Sequence, residues 1–185
     1  MEWISAFFRD IDRAWDDGPK VQLQIIGSVA LMLQADYVRG TKDGDVLETT
    51  ALTADVRERL LRIAGPETTL ATRHRLYVDI VGSGLPLHAL NGSLTSLDIH
   101  VLDVVDVVVS KLKRFHANDV EDVAAMIERG LVDHARLVER FREAVDAFAM
   151  TAYADDLPKY VRTLHRVERD LFDVAETEIE LPDWE

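Results

Sequence analysis

The stretch IIGSVALMLQADYVRGTKDGDV, residues 25–46, decides the fold, because its punctuation separates two strands and a short helix. Just upstream, Val21, Leu23 and Ile25 alternate with Gln22 and Gln24, the period of a strand, and that strand runs into Gly27-Ser28. Val29 to Ala35 then reads as a short apolar helix. Residues 39–45, RGTKDGD, are polar and turn-like, and Val46-Leu47 is expected to begin an edge strand, with Asp43 and Asp45 on that strand or its lead-in. Gly27 allows the backbone to approach a ligand closely, and the amides that open the helix can receive a phosphate. Asp43 and Asp45, at i and i+2 of an extended segment, point to one side. Two carboxylates aimed at one point repel unless a cation lies between them, and hard oxygen donors suit Mg²⁺. A phosphate cradle beside a divalent-metal site is what phosphoryl or nucleotidyl transfer requires. Each part has a plainer counterpart: a D-x-D on a polar loop is commonly solvated, and Asp43-Gly44 alone favours a turn.

Outward from this stretch, Asp79 lies in the middle of an apolar strand, LYVDIV (residues 76–81). A carboxylate there is costly unless paired or metal-bound, or unless it faces outward, as its alternation with Val78 and Ile80 also allows. Trp3, Ile4, Phe7, Phe8, Ile11 and Trp15 recur at helical spacing before Gly18-Pro19. Residues 55–63 read as a helix closed by Gly65-Pro66; residues 82–92 read as a long connection; Leu97, Ile99 and Val101 mark a further strand. From Asp103 the pattern is helical: a dense apolar run to Phe115, a stripe over Val120, Val123, Ala124 and Ile127 stopped by Gly130, then stripes over residues 137–148 and 160–171. The acidic end is expected to fray. The plan is α+β with an α/β core: residues 1–102 as a mixed sheet flanked by helices, residues 103–185 as a C-terminal helical bundle packed on it.

Composition bounds the rest. The chain of 185 residues is 48% hydrophobic and 30% charged, with a net charge of −13 and no cysteine. Disulfides, thiolate chemistry and Cys-based zinc sites are excluded. Acidity disfavours a broad DNA-binding surface, although Arg57, Arg59, Arg62, Arg73 and Arg75, and further on Lys111, Lys113 and Arg114, are local basic groups. No apolar run approaches the roughly 18 residues of a membrane span, and the acidic N-terminus lacks a signal-peptide pattern, so a cytoplasmic protein is expected. The histidines form no H-E-x-x-H pair, and neither a Walker A lysine motif nor a Rossmann glycine fingerprint occurs.

The hydrophobic-Gly-Ser segment, its spacer and the Asp-x-Asp element resemble the first motif of the nucleotidyltransferase superfamily with the DNA polymerase β-like fold. More narrowly, RGTKDGD together with KLKRFHANDVEDV (residues 111–123) resembles nucleotidyltransferase-like proteins of bacterial abortive-infection, or type IV toxin–antitoxin, systems. The resemblance runs from about Val21 to Gly130. It implies that Gly27 and Ser28 hold nucleotide phosphates, that Asp43, Asp45 and Asp79 bind Mg²⁺ (or Mn²⁺) and carry catalysis, and that Arg39 and Thr41 orient the motif or contact the nucleotide. Lys111 would reach the triphosphate or a neighbouring acid, and Asp119 and Asp122 would support it; as plain helix-start charges they would instead complement the macrodipole. The implied activity is NMP transfer from a nucleoside triphosphate to a hydroxyl on RNA or protein, with a toxin or defence role and an antitoxin protein as partner. Two departures are visible: Gly44 replaces the usual apolar residue between the aspartates, and the spacer from Ser28 is slightly long. They support an alternative, a catalytically inactive nucleotidyltransferase fold used as a protein-binding module. A third reading makes the stripe of Phe141, Phe148 and Tyr160 a dimer surface.

Overall fold

Helix α1 (Glu2–Trp15) turns Ile4, Phe7, Phe8, Ile11 and Trp15 inward, each at most 3% exposed. A fully buried side chain of this size contributes about 1.5–3 kcal/mol through the hydrophobic effect. The Trp15 indole N–H donates to the Pro19 carbonyl at 3.0 Å, and the Arg59 guanidinium lies 4.9 Å from its ring centre. The computed structural model describes residues 2–16, 18–82, 87–89, 94–149, 151 and 154–181. Backbone contacts divide them into two units, Met1–Asp103 and Val104–Glu185.

The first unit is built on a five-stranded mixed sheet of β1 (Val21–Ile25), β2 (Asp43–Leu47), β3 (Tyr77–Val81), β4 (Leu87–Ala89) and β5 (Leu97–Leu102), in the order β3-β2-β1-β5-β4. β1 runs parallel to β5 and antiparallel to β2; β2 and β3 are parallel; β4 is antiparallel to β5. Alternation assigns one face to the core: Val21, Leu23, Ile25, Val46, Val78, Leu97, Ile99 and Val101 are all at most 5% exposed. Helix α2 (Gly27–Gln34) follows β1 directly and contacts β2 and β5, while α3 (Ala54–Ala64) and α4 (Thr69–His74) pack on β3. Thr53 and Thr68 cap these last two helices, accepting from the Val56 and Ala71 amides.

Three expectations are corrected here. The Asp43-Gly44-Asp45 segment is strand rather than turn, because its amides and carbonyls enter the ladder with β3. That strand is not an edge: β2 lies between β1 and β3. Helix α4 was hidden, since six residues are too few to show a helical stripe. Within the connection expected over residues 82–92, Leu87–Ala89 form β4; residues 83–86 and 90–93 lie outside the described residues.

The second unit comprises α5 (Val104–Leu112), α6 (Ala117–Glu128), α7 (His134–Ala149) and α8 (Leu157–Val167), with a 3-10 turn at Ala154–Asp156 and a π-helical turn at Glu168–Phe172. Tyr160 stacks on Phe141 with ring centres 4.4 Å apart, contacts Phe148 edge-on, and donates its hydroxyl to the Val109 carbonyl at 2.6 Å. Phe141 and Tyr160 are therefore core, and the dimer reading of that stripe loses its exposed surface. The C-terminal segment, expected to fray, is tied back onto the second unit as far as Glu178. Glu168, fully buried, accepts from the Thr177 amide at 3.0 Å and hydroxyl at 2.5 Å and contacts His134 Nε2 at 2.8 Å; Arg142 reaches the Glu178 carbonyl at 3.3 Å. Among the described residues no helix is long and apolar enough to cross a membrane.

Candidate active site

The parallel pairing of β2 with β3 places Asp43 beside Tyr77 and Asp45 beside Asp79. Partners on neighbouring strands share a face, and so do residues two apart, so Asp43, Asp45, Tyr77 and Asp79 all project from one side of the sheet. Gly44, Val46 and Val78 point the other way and are buried. Asp43 and Asp45 are half-buried, whereas Asp79 is exposed. The outward position that alternation allowed for Asp79 is thus the position occupied, and it is on the carboxylate face.

Gly27 is required here for two separate reasons. Its φ is +66°, in the left-handed region that side chains disfavour, and a Cβ on it would come within 2.1 Å of Asp45 Oδ2. The strand-to-helix turn is therefore packed directly against one carboxylate, and the Ile26 amide donates to the Asp45 carbonyl at 2.9 Å. Ile26, at the N-cap of α2, offers no side-chain hydrogen bond to the helix amides. Opening amides of a helix have no intrahelical acceptor, which is the general basis of anion binding at helix N-termini. Ser28 is half-buried in the first turn of this helix.

Thr41 orients the first aspartate: its hydroxyl lies 2.8 Å from Asp43 Oδ1 and 3.2 Å from the Asp43 carbonyl. With a single proton to give, it favours the charged acceptor. Arg39 is half-buried, with its amide 3.4 Å from Met32 Sδ. Tyr77 was missed from the sequence. Burial raises its hydroxyl pKa, and the charges of Asp43, Asp79 and Asp45 raise it further, so the ring sits in the field of all three carboxylates. Its one sequence signal is the i, i+2 spacing to Asp79, which carries meaning only once the β2–β3 register is known.

The three carboxylates are neighbours by register, with hard oxygen donors of the class that binds Mg²⁺ or Mn²⁺. They are not drawn onto one point: among the described residues no three or more His, Asp or Glu side chains form a ready-made metal cage. The donor set fits a divalent cation in chemistry and in face, and the side chains would have to turn toward it.

In the second unit, Lys111, 4% exposed, contacts Asp119 Oδ1 at 3.1 Å and Asp122 Oδ2 at 2.7 Å. Arg114 Nε and the His116 amide also reach Asp119, at 3.1 Å and 3.0 Å. Burial pushes the Asp119 carboxyl up, but the Lys111 charge, the hydrogen bonds from Arg114 and Lys111 and the His116 amide together hold it below its ordinary value. KLKRFHANDVEDV therefore folds into an internal ion network and helix cap, with the Lys111 ammonium held by two acids.

A mixed sheet with Gly-Ser at the first strand-to-helix turn, and carboxylates on the two strands beside it, is a nucleotidyltransferase-like α+β fold. Residues 4–171 match the family described as nucleotidyltransferase of unknown function (DUF6036), and the chain belongs to that family. No curated protein matches the chain. No solved structure matches it either.

Proposed function

We propose that this nucleotidyltransferase moves an NMP group from a nucleoside triphosphate to a hydroxyl acceptor, with Mg²⁺ or Mn²⁺ held by Asp43, Asp45 and Asp79. The observation that carries the reading is the packing of Gly27 against Asp45 while Asp45 lies in register with Asp79. The turn at Gly27 and the carboxylates are thereby neighbours, which supports a phosphate cradle beside a cation. When bound, the cation would neutralise charge on the phosphoryl oxygens and on the entering and leaving oxygens. The chain's own residues do the rest. The Gly27 and Ser28 amides receive the phosphates, Thr41 fixes the rotamer of Asp43, and Arg39 borders the motif. Asp79, the most exposed of the three acids, takes the proton of the acceptor hydroxyl. Lys111, Asp119 and Asp122 belong to the framework of the second unit in this reading, since a phosphate contact would require Lys111 to leave two buried acids. RNA or protein as acceptor, a toxin or defence role and an antitoxin partner are proposals resting on the sequence resemblance.

The test is calorimetric titration of ATP, GTP, CTP and UTP, with and without Mg²⁺, against wild type and an Asp43→Ala, Asp45→Ala variant. Metal-dependent binding that disappears in the variant is expected. Binding by the variant equal to wild type would overturn the assignment of these residues. A second reading is an inactive nucleotidyltransferase fold serving as a protein-binding module, favoured by carboxylates that do not converge and by Gly44 between them. It predicts no nucleotide binding by wild type.

A further inference from the structure

Strand order sets the Gly27 turn and Tyr77 on opposite sides of the central aspartates. β2, which carries Asp43 and Asp45, lies between β1 and β3. β1 runs into the Gly27 turn, and β3 carries Tyr77 and Asp79 on the carboxylate face. In-line displacement at phosphorus needs the entering and leaving oxygens on opposite sides of it. In the reading above the Gly27 turn receives the phosphates, so pyrophosphate would leave on the β1 side and the entering oxygen must come from the β3 side. Of the hydroxyls at the site, Thr41 is committed to Asp43 at 2.8 Å, and Ser28 stands in the first turn of α2, on the leaving side. Tyr77 stands on the entering side, in register with Asp43 and two residues before Asp79. Its hydroxyl lies in the field of all three carboxylates. Its ring also carries that hydroxyl farther from the sheet than an aspartate carries its carboxylate. A phosphate held there through a cation lies farther out as well, since each Mg–O contact adds about 2 Å. Tyr77 is half-buried and β3 is the edge strand, so a group added to the hydroxyl has an open flank to occupy.

We propose that Tyr77 is itself an acceptor: the chain transfers an NMP group from a nucleoside triphosphate to its own Tyr77 hydroxyl. The inference rests on the nucleotidyltransferase reading above and gives that site a modification target within the chain. The Tyr77 oxygen bonds to the α-phosphorus as the bond from that phosphorus to the oxygen bridging the β-phosphate breaks. Pyrophosphate leaves with the electron pair, and the phenolic proton passes to the Asp79 carboxylate. The product is a tyrosyl phosphodiester lying over Asp43 and Asp45, where a second triphosphate would have to bind. Transfer therefore stops at one NMP per chain and closes the site.

The experiment incubates the full chain with Mg²⁺ and each of ATP, GTP, CTP and UTP, then measures intact mass and maps the modified peptide. A gain of one NMP on Tyr77 is expected with at least one nucleotide. Tyr77→Phe should lose that gain, and the modified wild-type chain should lose triphosphate binding in calorimetry. A second readout needs no turnover. An α,β-methylene triphosphate, which cannot release pyrophosphate, should shield Tyr77 from nitration, so wild type tests the idea even where the variant fails to fold. Three results would overturn self-transfer and leave the function standing: a mass gain on another residue, no gain by a chain that binds the triphosphate, or equal nitration of Tyr77 with and without the bound analogue. No binding of any nucleotide by wild type would overturn both.

Discussion

Gly27, before Ser28, and Gly44, between the aspartates, are given opposite physics by the structure. At Gly27 both the positive φ and the nearness of Asp45 exclude a side chain. Gly27→Ala should cost about 1–2 kcal/mol for the left-handed backbone. It should also displace the Asp45 carboxylate, so that Mg²⁺-dependent nucleotide binding falls together with stability; denaturant unfolding and calorimetry read the two effects separately. At Gly44 a Cβ would meet only ordinary contacts, the nearest being the Tyr77 carbonyl at 3.5 Å, on the face away from the carboxylates. Gly44→Ala should therefore stabilise the protein by about 0.5–1 kcal/mol, the usual cost of glycine inside a strand, and leave nucleotide binding unchanged. Loss of binding in that variant would show that the site depends on flexibility between the aspartates. Thr41→Val, which removes the hydroxyl from Asp43 while keeping the shape, should weaken metal-dependent binding with little change in folding.

Strand β2 shows where sequence reading succeeds and where it stops. Its aspartates, the Gly-Ser turn and the outward Asp79 were legible because alternation and side-chain chemistry are local properties. Its start at Asp43 was not, since Asp-Gly-Asp is a poor strand former and takes strand geometry from its ladder with β3. For the same reason Tyr77 escaped notice: register is a tertiary fact that no spacing within LYVDIV contains. Helix α6 shows the converse. Asp119 and Asp122 looked equally like helix-start charges and like partners of Lys111; the structure makes Asp119 both cap and ion-pair partner, and Asp122 a fully buried one. Removing one member of a buried pair strands the others, so Lys111→Met should destabilise by about 3–5 kcal/mol. Adding Asp122→Leu should return part of that loss, because Asp119 keeps Arg114 and the His116 amide. Chemical denaturation of the two variants measures the coupling; a double variant no more stable than the single would place the energy of this network elsewhere.

At the scale of the whole chain, a net charge of −13 makes acid the informative perturbation. Carboxyls with lowered pKa occur in both units. Asp10 is held down first by its hydrogen bond from His74 and then by the His74 charge and by Arg73 and Arg13, against a smaller upward push from burial. Burial pushes Asp12 up, but the Thr95, Ser96 and Leu97 amides bring it below its ordinary value. Burial likewise raises Glu168, and His134 with the Thr177 hydroxyl and amide outweighs it. A carboxyl depressed in the folded state stabilises above its unfolded pKa, and that contribution disappears as pH falls through the folded value. The relevant unfolded values are 3.8 for aspartate and 4.5 for glutamate. Thermal stability should therefore change little through these groups between neutral pH and pH 5, then fall as the pH drops below about 4. Glu168→Gln isolates one contribution. At neutral pH it should lower Tm, because an amide turns a donor toward the hydrogens that the buried carboxylate accepts. As the wild-type carboxyl takes up its proton in acid, the two melting curves should converge. A difference that persists undiminished at low pH would mean that Glu168 holds the C-terminal segment at Thr177 by shape rather than by charge.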